Sequence, residues 1–202
     1  MQTTTCPQVT RGSALGARTH KALPVCEAKG ALEAIVARIG PFLHTALGGG
    51  SEEPLPLMES GFMVTRPGAK EQAFHRDVAP GVVSCSSLSA SLQVALEDTA
   101  ANQGALQLKP GTHVFDPSAP FADGMDGADM PEVTLALPAG SVVIYALHLI
   151  HRGSANSAAA DRPFYFFTLK GRGYAPPGLA YTIRPEDIAQ WKLPREGGFV
   201  KV

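Results

Sequence analysis

From residue 61 onward the chain is a series of short apolar runs, each cut off by glycine, proline, aspartate or asparagine. GFMVT, SASLQVAL, GALQL, EVTLAL, SVVIYAL and PFYFFTL are five to eight residues long, and several are rich in β-branched or aromatic side chains. Runs of that length are too short for independent helices, and the regular return of turn signals suits antiparallel strands. A chain so punctuated points to an antiparallel sandwich or jelly roll, with helical material mostly before it. Ahead of the runs, Lys29 to Leu47 is different. Leu32, Ile35, Val36 and Ile39 recur at helical spacing, which predicts one amphipathic helix broken or kinked near Gly40-Pro41. GGGSEEP ends that helix in a loop. The expectation is a mainly β domain, an antiparallel sandwich or jelly roll, with an N-terminal supporting helix.

The size of the chain, 202 residues, suits one domain with a core of its own. No composition shift marks a second domain, so residues 29–202 are read as a single unit. Residues 1–28 are read as a leader or irregular first segment: from Met1 to Cys26 there is no acidic residue, while Arg11, Arg18 and Lys21 are present. That is a weak transit-peptide look, so the expected location is cytoplasmic, or organellar if the leader is an address. A formal net charge of −1 provides no basic field for nucleic acid. No apolar run nears the roughly 20 residues that span a bilayer. Cys6, Cys26 and Cys85 form no CxxC pair and no even set, which argues against a disulfide framework or a cysteine metal knuckle. The expected partner is a small molecule, with neither nucleic acid nor membrane.

Chemistry concentrates in three stretches. EQAFHRDVAP contains His75 and Asp77, and in an extended backbone side chains two residues apart point the same way. A second stretch, SVVIYALHLIHRG, runs a strand into His148 and His151. Two histidines and one carboxylate are the donor set of the facial triad that holds Fe(II) and leaves its opposite side open. Arg162 follows His151 by eleven residues (162 − 151), room for a strand, a tight turn and a return strand. An antiparallel neighbour would then carry its guanidinium toward the metal. A planar, permanently charged guanidinium pairs bidentately with a carboxylate, so a dicarboxylate keto acid could chelate iron at one end and meet Arg162 at the other. Of the two histidines, His151 is the expected ligand because of the Arg-Gly-Ser that follows it. His148 is expected to pack or to support a ligand.

FHRD at Phe74 to Asp77, VALEDTAANQGALQLKPGTH at Val94 to His113 and HRGSANSAAADRP at His151 to Pro163 together resemble the phytanoyl-CoA dioxygenase-like Fe(II)/2-oxoglutarate oxygenases. The resemblance covers roughly Leu23 to Leu169, with the three motifs in order. It implies the double-stranded β-helix, and His75, Asp77 and His151 as catalytic metal ligands. It also implies that Arg162 takes the 2-oxoglutarate carboxylate, with Gln93 and Phe62 at positions that contact the co-substrate in relatives. The implied cofactors are Fe(II), 2-oxoglutarate as co-substrate and O2. The implied reaction couples decarboxylation of 2-oxoglutarate to succinate with hydroxylation or desaturation of a small-molecule C–H bond. In halogenating relatives a small residue replaces the carboxylate that Asp77 supplies here. The alternative class is a cupin-like protein that binds a metal or small molecule without turnover.

The other singular residues receive quieter expectations. The insert from Pro117 to Pro131 is expected to be a lid. His113 is expected to close a strand, Trp191 to anchor the C-terminal segment, and Arg76 to face away from the metal. His20 and His44 are expected at the surface.

Overall fold

The computed structural model of the protein describes residues 17–48, 52–77, 89–114, 129–171 and 182–202. The expected lid, Pro117 to Pro131, lies almost wholly outside them, as does Cys85. In chain order the elements are β1 (Arg18–Ala22), α1 (Val25–Gly48), β2 (Leu55–Thr65), β3 (Ser89–Ala95), β4 (Leu106–Leu108), β5 (Val133–Leu135), β6 (Val142–Ala146), β7 (His151–Gly153), β8 (Arg162–Lys170), β9 (Trp191–Leu193) and β10 (Val200–Lys201). They form two antiparallel sheets. The larger runs β10-β9-β2-β8-β3-β6, with β1 also on β2, and the smaller runs β5-β4-β7. The mainly β jelly roll with one N-terminal helix read from the sequence is the fold observed.

Alternation along β8 assigns the two faces of the large sheet. Tyr165, Phe167 and Leu169 join Leu57, Leu92 and Leu193 in the main core. Arg162, Phe164, Phe166 and Thr168 take the opposite face, as the two-residue period of a strand demands. Register carries the division across the sheet. Glu59 pairs with Thr168, Gly61 with Phe166 and Thr65 with Arg162; on the other side Ser91 pairs with Thr168 and Gln93 with Phe166. Tyr145 pairs with Ser91 in turn. One face of this sheet is therefore an apolar floor for α1, and the other is a polar inner wall.

Helix α1 lies on the apolar face through Val25, Ala28, Leu32, Val36, Leu43 and Leu47, positions three, four or seven apart that share one side of a 3.6-residue helix. Ile35 and Ile39 lie beside them, partly buried. The helix begins four residues earlier than its periodicity suggested and passes through Pro41. Pro41 has no N–H for the carbonyl of Ala37, and a residue before proline ordinarily avoids the helical region. Here that residue is Gly40, which has no Cβ to meet the proline ring, and burial of Leu43 and Leu47 beyond it draws the next turns onto the sheet. His44 is a correction: it is 3% exposed within this helix face, with no hydrogen bond to either ring nitrogen. It shares the helical stripe of Gly40 and Leu47, so helix phase overrides its polarity. Among the described residues no helix is long and apolar enough to cross a membrane.

The N-terminus of α1 is held from the far end of the chain. Asp187 is 4% exposed; its carboxylate accepts the backbone N–H of Val25 at 3.0 Å and the indole N–H of Trp191 at 2.8 Å. A carboxylate at a helix N-terminus satisfies an orphan donor and opposes the positive end of the helix dipole. Trp191 thereby joins α1 to the edge strands β9 and β10. Asp187→Ala is expected to cost about 2–3 kcal/mol, read as a lower urea midpoint with an unchanged slope. An unchanged midpoint would remove this carboxylate from the helix–edge connection.

Candidate metal centre

His75 and His151 are brought together by backbone pairing. Each donates its N–H to the other's carbonyl at 3.0 Å, an antiparallel bridge that ties His75 to the first residue of β7. Gln72 pairs with Gly153 on one side of the bridge, and Asp77 donates its N–H to the Leu147 carbonyl at 2.9 Å on the other. The segment Gln72 to Asp77 thus runs beside β7 and widens the small sheet by a partial strand. Residues directly opposite in such a pair share a face, so the two imidazoles meet with ring centroids 4.5 Å apart. Two residues beyond His75, Asp77 turns its carboxylate to the same point. Its Oδ1 lies 3.4 Å from His151 Nε2 and 3.9 Å from His75 Nε2. One donor atom from each of the three residues lies within 4.8 Å of the others.

Both rings are aimed. His75 Nδ1 is 2.9 Å from the Ala73 carbonyl and His151 Nδ1 is 2.9 Å from that of Leu149. A carbonyl only accepts, so Nδ1 carries the proton in each ring and Nε2 is the atom turned to the shared point. This is how metal-binding histidines have their tautomer set by surrounding groups. Electrostatics agree. Burial by itself would raise the Asp77 pKa, yet the two imidazoles and the Tyr145 phenol more than offset it and hold it below the usual range. Burial would lower the His151 pKa, but Asp77 and the Leu149 carbonyl raise it. The Asp77 carboxylate and His151 Nε2 lie 3.4 Å apart, and a divalent cation held between them would take the place of a proton there.

On the inner wall, Tyr145 donates to Asp77 Oδ2 at 3.4 Å and accepts from Gln93 Nε2 at 2.9 Å. Burial first, then Asp77, push its phenol well above the ordinary tyrosine range, so it stays a donor. Gln93, expected near the co-substrate, is on this wall, and its Oε1 is buried without a donor. Arg162, 4% exposed, stands on the same wall. Its Nη1 donates to the Gly104 carbonyl at 3.0 Å and its guanidinium lies 4.3 Å over Phe164, while its Nε has no acceptor among the described residues. Burial and then Arg18 lower its pKa to about 10, still charged at neutral pH. Gly104, at φ +71°, leaves no room for a side chain: a Cβ there would stand 2.7 Å from Thr65 Cγ2.

Several expectations are placed differently. His151 and Arg162 are not on neighbouring strands: β7 belongs to the small sheet and β8 to the large one. They face each other across the interior instead, because the connection crosses between sheets, held by Asn156 Nδ2 donating to the carbonyls of Thr65 and Ala160. Phe62 pairs with Tyr165 and Lys21, and so lies on the face opposite Gln93 and Arg162. Met63 and Gly61 take the inner positions on that strand, a one-residue phase difference that strand alternation makes decisive. His20 is not a surface residue either. It lies on β1 with its ring 4.8 Å from Phe166, and burial lowers its pKa to about 4 despite the opposing pull of Asp77. His148 is 2% exposed and packed, His113 lies in the short 3-10 turn after β4, and Arg76 reaches toward the Thr112 carbonyl at 3.5 Å rather than the centre.

The residues missed in the sequence are Tyr145, Glu59, His20 and Arg18. Tyr145 had a usable signal, since alternation along SVVIYAL sets it on one face with Val143. The others had none, because nothing in the sequence announces that β1 and the Glu59 position of β2 line the interior. Tyr145→Phe is expected to weaken Mn(II) binding about tenfold, as loss of a hydrogen bond to a ligand carboxylate does, with folding retained. Calorimetric titration of the purified protein reads it, and an unchanged affinity would show that the phenol leaves Asp77 unsupported.

The sequence model of the family described as phytanoyl-CoA dioxygenase (PhyH) matches residues 25–164, well over half of the chain. Solved structures of the same fold include the epimerase SnoN in complex with Fe3+, alpha ketoglutarate and nogalamycin RO. It is 22% identical, with a TM-score of 0.61 over 82% of this chain and 68% of that one. EctD from S. alaskensis with bound Fe is 20% identical, with a TM-score of 0.54 over 81% of this chain and 59% of that one. The non-heme alpha ketoglutarate dependent carbocyclase SnoK from nogalamycin biosynthesis is 21% identical, with a TM-score of 0.53 over 62% of this chain and 55% of that one. The chain therefore spans little more than half the length of SnoK and EctD. The family match extends from the first residue of α1 through His75, Asp77 and His151 to the start of β8, and on it the chain belongs to the phytanoyl-CoA dioxygenase (PhyH) family.

Proposed function

We propose that the protein is an Fe(II)- and 2-oxoglutarate-dependent dioxygenase that hydroxylates or desaturates a C–H bond of a small molecule. The observation that carries this reading is the pairing of two unmet demands on one interior. Three aimed donor atoms converge on one point, and a buried guanidinium on the facing wall has an N–H without an acceptor among the described residues. A ligand that chelates a metal through a keto acid and ends in a second carboxylate answers both. His75, Asp77 and His151 would hold the iron on one side. Arg162 would take the distal carboxylate in a fork of charge-assisted bonds, with Gln93 between them. Iron with 2-oxoglutarate and O2 supplies the oxidising chemistry, releasing succinate and CO2.

This chain's own residues supply position and environment. The carbonyls of Ala73 and Leu149 fix the imidazole planes, and Tyr145 restrains the carboxylate. Phe164 and Phe166 dry the wall along which the co-substrate would lie, which strengthens the pairing of Arg162 with an anion. At the level of the centre the inner wall carries Glu59, Ser91 and Thr168, with Thr168 Oγ1 donating to Glu59 at 2.5 Å. Burial raises the Glu59 pKa against the pull of that hydroxyl. A wall of hydroxyl and carboxyl groups suits a substrate that carries polar groups near the carbon that reacts.

Anaerobic titration of the metal-free protein with Fe(II) and 2-oxoglutarate tests the reading. It should give the weak visible charge-transfer band of a keto acid chelated to iron. His151→Ala should abolish the band and weaken metal binding by at least about tenfold. With O2 admitted, succinate should form slowly even without substrate, and chelation of the metal should stop it. Iron binding without the band would instead describe a cupin-like metal-binding barrel without turnover, and absence of iron binding would sink the proposal.

A further inference from the structure

Arg18 faces the interior beside Arg162, from a segment with no recognisable motif. Register makes the relation geometric. Arg18 pairs with Thr65 on one side and Thr65 pairs with Arg162 on the other, so the three form one row across β1, β2 and β8 with their side chains on the same face. Adjacent strands lie about 4.8 Å apart, which sets the two arginine Cα atoms about 10 Å apart, within easy reach for two long side chains that converge. Among the described residues neither guanidinium has a carboxylate partner. Each has a buried Nε without an acceptor. Two desolvated cations in one row without an anion are costly as they stand, and their mutual repulsion contributes to the lowered pKa of Arg162.

Arg18 also touches the metal strand. Its Nη1 donates to Thr65 Oγ1 at 3.0 Å, and its Nη2 to the carbonyls of Lys70 at 3.0 Å, Gly153 at 3.3 Å and Ser154 at 2.6 Å. A Cβ on Gly153 would stand 2.6 Å from Nη1, so the guanidinium is seated against the chain two residues past His151. These bonds orient the group and leave its Nε uncommitted. They also make a purely architectural role conceivable, as a clamp between β1 and β7.

We propose that Arg18 is a second cation of the co-substrate pocket: together with Arg162 it sets the preference of the site for a dicarboxylate keto acid over a monocarboxylate one. This rests on the reading of Arg162 as the partner of a distal carboxylate and adds that the charge is shared by two strands, one of them N-terminal to α1. Arg18 is a specificity-determining residue here, and its effect falls on the carboxylate far from the metal rather than on the keto acid end.

The test is calorimetric titration of the full chain loaded with Mn(II), which is redox-silent, against 2-oxoglutarate and against 2-oxobutyrate, a keto acid without the distal carboxylate. The readout is the ratio of the two affinities. Arg18→Gln should lower that ratio about tenfold, the loss expected for one charge-assisted contact, mostly through weaker 2-oxoglutarate binding. Arg18→Lys, which keeps the charge but not the fork, should lower it by about threefold. A clamp role predicts that both ligands weaken together, so an unchanged ratio in either variant overturns the proposal. If Arg18→Gln does not fold, Arg18→Lys alone decides on the same ratio. Arg162→Gln is the control: if it spares the ratio, the reading of the pocket itself fails. If it collapses the ratio while both Arg18 variants leave it intact, only the inference about Arg18 fails.

Discussion

Everything at the centre depends on two backbone hydrogen bonds, those between His75 and His151. The two residues are 76 positions apart (151 − 75) in the chain, and their side chains are donors only because one partial strand pairs with β7 in a single register. A shift of one residue would turn each imidazole to the opposite face. The neighbouring pairings of Gln72 with Gly153 and Asp77 with Leu147, and the Arg152 ion pairs with Glu71 and Glu132 at 3.1 and 3.6 Å, hold that register from both sides. The ligand geometry is thus a product of sheet pairing, with side-chain bonds to Ala73 and Leu149 adding the last degree of aim.

The large sheet does two jobs with one alternation. On β8, odd-numbered Tyr165, Phe167 and Leu169 rest on α1, while even-numbered Arg162, Phe164, Phe166 and Thr168 face the interior. In register with them, Glu59, Gly61 and Thr65 on β2, Ser91 and Gln93 on β3 and Tyr145 on β6 face the interior. An apolar layer under the helix supplies the area that folds the domain. The same strands can then display arginine, glutamate, glutamine and tyrosine on their other side without thinning the core. Burial of the polar side is tolerated where partners exist, as between Thr168 and Glu59 or Gln93 and Tyr145. Where the described residues supply none, at Arg162 Nε and Gln93 Oε1, the interior has the signature of a site for a ligand that carries the missing groups.

Legibility in the sequence followed how local each feature is. His75 and Asp77 could be read because one residue separates them and an extended backbone aligns them. The strands could be read because turn residues punctuate them, and the helix because its apolar stripe is periodic. Phe62 could not be phased, since its strand is flanked by no feature that says which side is in; the pairing with Tyr165 decides it. His20 and His44 look alike as isolated histidines, yet one lines the interior and the other sits in the helix core. The relation of His151 to Arg162 was read as that of neighbours in one sheet, whereas the connection crosses from one sheet to the other.

By itself the amino-acid sequence determined the fold class and the order of the elements and singled out three residues as proposed metal ligands, because turn chemistry, periodicity and an HxD pair are properties of adjacent residues. Only the tertiary structure decided which face each strand turns inward, that Tyr145 supports Asp77, and that Arg18 shares a row with Arg162. Those relations arise from register between strands distant in the chain, and register is set by the packing of whole faces, which no single segment encodes.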